Sequence, residues 1–159
     1  MEIRTAQKGL GKQCELVLRT LPQWFGNEEA LLHYTSEIDE LDTYTTWCND
    51  ILVGFISVKF HFDAAVELYV LGVMAEYHGQ EYGSKLLEFV ERDLVEKNVS
   101  VMQVKTLSPL SDNAAYAKTL KYYLKAGFIP LEDLDEIWGN DTQCRLMVKH
   151  IANRSNCIS

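Results

Sequence analysis

The sequence predicts an α/β (α+β) fold, a single sheet with helices on both faces, and three observations predict it. Several short runs are rich in β-branched and aromatic residues; the stretches between them carry apolar residues at three- and four-residue steps; no linker, repeat or low-complexity tract interrupts the alternation. A chain of 159 residues fits one domain and hides roughly 70% of its unfolded surface on folding. The expected boundaries are one domain over residues 1–152 and a frayed Ser/Asn-rich tail over 153–159.

The elements follow in order. Ile3 to Ala6 reads as a short strand, and Cys14, Leu16, Val17, Leu18 and Leu21 mark a helical stretch that Pro22 stops. Asn27 is an N-cap for a second helix carrying Ala30, Leu31, Tyr34 and Ile38. Tyr44 to Cys48 and Ile51 to Phe60 flank Asn49-Asp50, a pair that favours a hairpin turn. Val66 to Met74 is the next strand, and Glu81 to Lys97 an amphipathic helix with Tyr82, Leu86, Phe89, Val90 and Leu94 inward. Val99 to Thr106 is strand-like, Leu107 to Asn113 a loop, and Ala114 to Lys125 a helix that Gly127 closes. Strands at Phe128 to Leu131 and Arg145 to Ile151 finish the domain.

Charge and composition exclude several function classes. A formal net charge of −8 with no Lys/Arg cluster repels nucleic acid and anionic membrane. Cys14, Cys48, Cys144 and Cys157 have no C-x-x-C spacing and are too sparse for a disulfide scaffold, which suits a cytoplasmic setting. The start Met1-Glu2-Ile3-Arg4 lacks a basic region followed by an apolar one, and no segment approaches 18 apolar residues. His33 and His61 have no companions at ligand spacing, so no metal site is expected. Trp24, Trp47 and Trp138 are read as core or groove wall.

The stretch that carries chemistry is Leu71-Gly72-Val73-Met74-Ala75-Glu76-Tyr77-His78-Gly79-Gln80-Glu81-Tyr82-Gly83-Ser84. A strand feeding a glycine-containing loop and then a helix aims several free N–H groups and the positive end of the helix dipole at one point, where a pyrophosphate would bind. Gly79 and Gly83 let an anion approach the main chain. The bland alternative is an ordinary connection.

This stretch resembles the acyl-CoA-binding motif of GNAT acetyltransferases, in which [RQ]-x-x-G-x-[GA] follows the fourth strand and opens the third helix. His78 stands at the Arg/Gln position, Glu81 at the first glycine and Gly83 at the last, with Tyr77 before and Ser84-Lys85-Leu86-Leu87 after. Ala117 to Phe128 resembles the family's last helix, ending in Y-x-x-x-G-F, which places Tyr123 on that tyrosine. The likeness is good over Tyr44 to Leu131; the flanks match only in element order. It implies a mostly antiparallel mixed sheet with a splayed strand pair, and transfer of acetyl from acetyl-CoA to a primary amine by direct attack in a ternary complex. A non-catalytic acyl-CoA-binding domain is the alternative, because His78 and Glu81 depart from the signature.

The same resemblance assigns roles. Leu71, Val73, His78, Gly79, Gln80, Glu81, Tyr82, Gly83 and Ser84 are the expected coenzyme contacts, with Leu71 and Val73 supplying N–H groups to the oxyanion. Glu67, eleven residues before His78, matches the general-base glutamate of histone-type members; otherwise it is an edge charge or an anion that binds substrate. Tyr123 is the expected acid for the leaving thiolate, with core packing as its other reading. Gly72 suits a bulge or a close coenzyme approach, or is a plain weak point in the strand. The acidic chain suits a cationic acceptor, and a homodimer is a family habit that no residue here establishes.

Overall fold

The computed structural model describes residues 1–109, 113–135 and 143–151. Loop residues Leu110 to Asp112, Trp138, Cys157 and the tail after Ile151 lie outside the described residues. The elements are β1 (Glu2–Gln7), α1 (Gly11–Leu18), α2 (Pro22–Phe25), α3 (Glu28–Ile38), β2 (Asp42–Cys48), β3 (Ile51–Phe62) and β4 (Ala65–Val73). A 3₁₀ turn (Ala75–Tyr77), α4 (Tyr82–Glu96), β5 (Val101–Leu107), α5 (Ala114–Lys125), β6 (Ile129–Leu134) and β7 (Cys144–His150) follow. The seven strands join in the order β1-β2-β3-β4-β5-β7-β6. The sheet is mixed: β4 and β5 pair parallel, while β1–β2, β2–β3, β5–β7 and β6–β7 pair antiparallel. The parallel ladder joins only Ala65–Glu67 to Val101–Gln103, although both strands run on.

The chain forms two compact units. The first comprises Met1–Lys59 and Leu68–Glu96. Its β2–β3 hairpin turns at Asn49 (φ 49°) and Asp50 (φ 64°), the left-handed pair that matches the twist of two adjoining strands. Asn27 caps α3 by accepting from Ala30 N at 2.9 Å. One apolar cluster sets Cys14, Val17 and Leu18 of α1 and Leu31 and Ile38 of α3 against Leu52, Phe55 and Val70. Tyr44, whose strand partner Ile56 neighbours Phe55, points to the other face, where its hydroxyl donates to Asp93 of α4 at 2.5 Å and its ring meets Phe89. Helices therefore cover both faces here, and truncating the fully buried Phe55 to Ala would cost about 3–5 kcal/mol.

Pro22 begins α2 instead of merely ending a helix. Proline lacks only an N–H that the first helical position leaves unused, so a new turn of helix starts there at no hydrogen-bond cost. Gly72 has a packing role that the sequence did not suggest. The register slips in β3, opposite Thr46/Trp47, and Gly72 is a packing residue: a Cβ there would lie 3.0 Å from Leu21 Cδ1 and 3.7 Å from Leu18 and Val17.

The second unit comprises Phe60–Glu67 and the described residues from Lys97 onward. Asn113 caps α5, accepting from Ala115 N at 3.0 Å and Tyr116 N at 3.3 Å. Gly127 (φ 99°) closes that helix, where Lys149 Nζ donates to the Ala126 carbonyl at 2.7 Å. β5 starts at Val101, two residues later than expected, because Ser100 and Val101 both donate to the Ala64 carbonyl as the chain enters the ladder.

Candidate active site

In the first unit, β4 delivers the chain to the motif loop. Gly79 (φ 75°) and Glu81 (φ 69°) both sit in the left-handed region, which costs a residue with a Cβ about 1–2 kcal/mol and glycine nothing. The glycine expected where Glu81 stands thus has a conformational cause, and Glu81 adopts that geometry without it. Its carbonyl accepts from Lys85 N at 3.0 Å, opening α4. Its carboxylate is 74% exposed and lies 3.6 Å from Lys85 Nζ one turn along the helix, so the charge is carried into solvent beside a cation.

His78 does something the motif did not forecast. Its Nε2–H donates to the Val73 carbonyl at 2.6 Å, tying the loop to the last residue of β4, and its ring lies edge-on to Trp24 at 6.1 Å. Its amide donates to Ala75 O at 3.2 Å, so the expectation that this N–H serves an anion is corrected: a 3₁₀ turn consumes it. Gly83 too is engaged within the chain. Among the described residues, no hydrogen bond uses the amides of Gly79, Gln80, Tyr82 or Ser84, and the space a Gly79 Cβ would fill is open to 4 Å. Gln80 Nε2 donates to Glu76 O at 2.9 Å, leaving its amide unobstructed by its own side chain. Exposed main chain with unused donors at a helix N-terminus fits a diphosphate.

Tyr82 packs edge-on to Tyr77 at 5.4 Å, and a hydrogen bond with Cys48 pushes its hydroxyl pKa above the usual phenol range, with burial adding to the shift. Leu71 and Val73 are half-buried at the end of β4, flanking the buried Gly72. Nothing in the sequence pattern singled out Cys48, because the contact joins the end of β2 to the start of α4.

In the second unit, Glu67 is 5% exposed and collects three donors on one oxygen: His61 Nε2 at 2.6 Å, Lys105 Nζ at 3.3 Å and Gln103 Nε2 at 3.4 Å, all to Oε1. Gln103 is the ladder partner of Glu67, and Lys105 lies two residues on, which puts both on one face of β5. His61 precedes Glu67 by six residues, across the turn at Asp63-Ala64. In the sequence His61 is weighed only as a metal ligand; a two-residue turn between the β3 and β4 runs was the available signal that it would meet Glu67. The cluster's field reaches the buried Cys144, whose thiol pKa burial raises, with Glu67 and Asp133 adding to the rise and Lys105 opposing it.

Tyr123 is 5% exposed, its ring 5.6 Å from Phe128 and 5.5 Å from Tyr122. Burial holds its hydroxyl pKa far above the ordinary phenol value, with Tyr122 and Tyr116 adding to the rise. Among the described residues, that hydroxyl has no hydrogen-bond partner. A buried phenol usually finds one. No group of three or more His, Cys, Asp or Glu among the described residues is arranged to hold a metal ion, and no described helix is long and apolar enough to cross a membrane.

Comparison with known proteins identifies the family and the fold. A family model described as "Acetyltransferase (GNAT) domain" matches residues 40–130, a span that includes the motif loop, Glu67 and Tyr123. No curated protein sequence matches the chain. Among solved structures, a GNAT-family protein from Desulfovibrio desulfuricans superposes with a TM-score of 0.82 at 15% identity, over 95% of this chain and 99% of that one. An aminoglycoside 6'-N-acetyltransferase complexed with coenzyme A gives 0.74 at 20% identity, over 97% and 99%. The ribosomal-protein-S18-alanine N-acetyltransferase of Escherichia coli gives 0.75 at 14% identity, over 96% and 94%. At these identities the structural likeness speaks for the fold.

Proposed function

This chain belongs to the GNAT acetyltransferase family, and on that premise we propose that it transfers acetyl from acetyl-CoA to the primary amine of a small molecule or peptide. The observation that carries the reading is the loop after β4, where unused amides of Gly79, Gln80, Tyr82 and Ser84 surround an open glycine at the start of α4. These groups would hold the coenzyme's diphosphate; the coenzyme supplies the thioester. Leu71 and Val73 offer main-chain N–H groups to the oxyanion formed when the amine attacks.

A lysine-like amine has a pKa near 10.4, so it must lose a proton before it attacks. Glu67 supplies the negative charge for that step. Tyr123 donates to the departing thiolate: burial of the residue keeps its hydroxyl protonated at neutral pH. An acceptor that is itself a cation suits the net charge of −8. The setting we propose is the cytoplasm.

Calorimetry with acetyl-CoA, followed by thiol release against a panel of spermidine, kanamycin and an alanine-initiated peptide, tests the reading. Micromolar-scale binding and thiol release with at least one amine are expected; absence of binding at millimolar acetyl-CoA would remove it. Glu81 in the place of a glycine and the consumed His78 amide favour a second reading, an acyl-CoA-binding domain without turnover. Thermal stabilisation by coenzyme A with no thiol release from any amine would select it.

A further inference from the structure

Glu67 has the position expected of a base, yet the hydrogen bonds around it describe a different task. Three donors converge on Oε1, one of them the Lys105 ammonium, and the side chain is 5% exposed. The accepting oxygen of this carboxylate is already committed to three donors. His61 is the complement. Its side chain is 34% exposed, and its only hydrogen bond among the described residues runs from Nε2 to that carboxylate at 2.6 Å. An ionised carboxylate only accepts, so Nε2 carries the proton; in the neutral ring the lone pair then falls on Nδ1, which has no partner among the described residues. A carboxylate that fixes the tautomer and orientation of an imidazole is the arrangement by which a histidine becomes a directed base.

We propose that His61 Nδ1 takes the proton from the acceptor ammonium, directly or through one water, and that Glu67 is the positioning residue that holds the imidazole. This deepens the acetyl-transfer reading and rests on it. The step balances as follows. The ammonium N–H bond breaks and the proton passes to Nδ1, giving a neutral amine and an imidazolium. The amine lone pair forms the C–N bond at the thioester carbonyl, and the tetrahedral intermediate collapses with cleavage of C–S. The thiolate takes a proton, the amide nitrogen loses its second one, and His61 returns its own to solvent. The charged group in contact with the ring is Glu67 on β4, whose Oε1 also accepts from Lys105 on β5, and the same carboxylate, with Lys105 and Asp133, acts on the Cys144 thiol on β7.

His61→Gln separates the roles, because its amide nitrogen can still donate to Glu67 while no basic lone pair remains. Thiol release from acetyl-CoA would be followed from pH 6 to pH 9.5 with whichever amine of the panel the wild type turns over. The variant is expected to lose about 100-fold in kcat/KM near neutrality and to recover as the amine deprotonates by itself, with acetyl-CoA affinity unchanged. A pH profile identical to wild type overturns the proposal and leaves acetyl transfer standing. Failure of the wild type to release thiol with every amine overturns both. Nitrogen-15 NMR of the imidazole supplies a readout independent of turnover: a neutral Nε2–H ring is expected at pH 8 in the wild type, with tautomer mixing in Glu67→Gln. An Nδ1–H tautomer in the wild type sinks the assignment.

Discussion

The motif loop and the Glu67 cluster are built by opposite means. Between Val73 and Ser84 the unused donors are main-chain amides, and His78 and Glu81 stand at signature positions while Gly79 and Glu81 hold left-handed turns. Around Glu67 the contacts run between side chains, and each donor distance depends on one residue's identity. A backbone site tolerates substitution as long as φ and ψ are kept; a side-chain site does not.

The sharpest way to break this contrast is at Tyr123, a side-chain site within the best-matched motif. Tyr123→Phe should lower kcat by about 100-fold and change acetyl-CoA affinity by less than about twofold. An unchanged kcat would reduce Tyr123 to a core residue.

Next in size is Gly79→Val, which imposes a β-branched residue at φ 75° with no atoms in the way. The loop should pay about 1–2 kcal/mol in stability, seen in denaturant midpoints, and lose about tenfold in acetyl-CoA affinity. Retained affinity would mean that the turn does not shape the anion site.

Glu81→Gly tests the same rule with opposite sign. It removes left-handed strain and a carboxylate, at the loss of an exposed i,i+4 ion pair worth about 0.3–0.5 kcal/mol. Acetyl-CoA should bind about two- to fivefold tighter by calorimetry, and the gain should shrink at high salt. Weaker binding would show that the carboxylate helps the coenzyme.

The smallest effect is expected from Asp133, whose carboxyl pKa the bidentate Arg145 hydrogen bonds hold below the ordinary value of about 3.8. A group depressed in the folded state stabilises above its unfolded pKa, and that contribution is lost as pH falls through the folded value. Urea unfolding of Asp133→Asn should therefore match wild type at pH 2 and fall below it by about 0.5–1 kcal/mol at pH 6. A constant gap across that range would place the effect elsewhere.

Much of this was legible in the residues. Asn27 and Asn113 cap the helices they precede, Asn49-Asp50 turns a hairpin, and Gly127 closes α5, because each effect is local and acts through the chain's own backbone. Pro22 misled because a proline both stops one helix and starts the next, and its sequence signal is the same in either role. The packing of Gly72 was not legible because Leu21, Leu18 and Val17, which fill the space beside it, lie about fifty residues earlier in the chain.

The family, and the places of the motif loop, Glu67 and Tyr123 in its pattern, were legible in the sequence alone, since they rest on spacing within short stretches. That His78 spends its amide on a 3₁₀ turn, that Cys48 meets Tyr82, and that His61, Gln103 and Lys105 close on one oxygen of Glu67 were decided only by the tertiary structure. The physical reason is reach: hydrogen bonds across 36 and 38 residues arise from strand register, which no local pattern encodes.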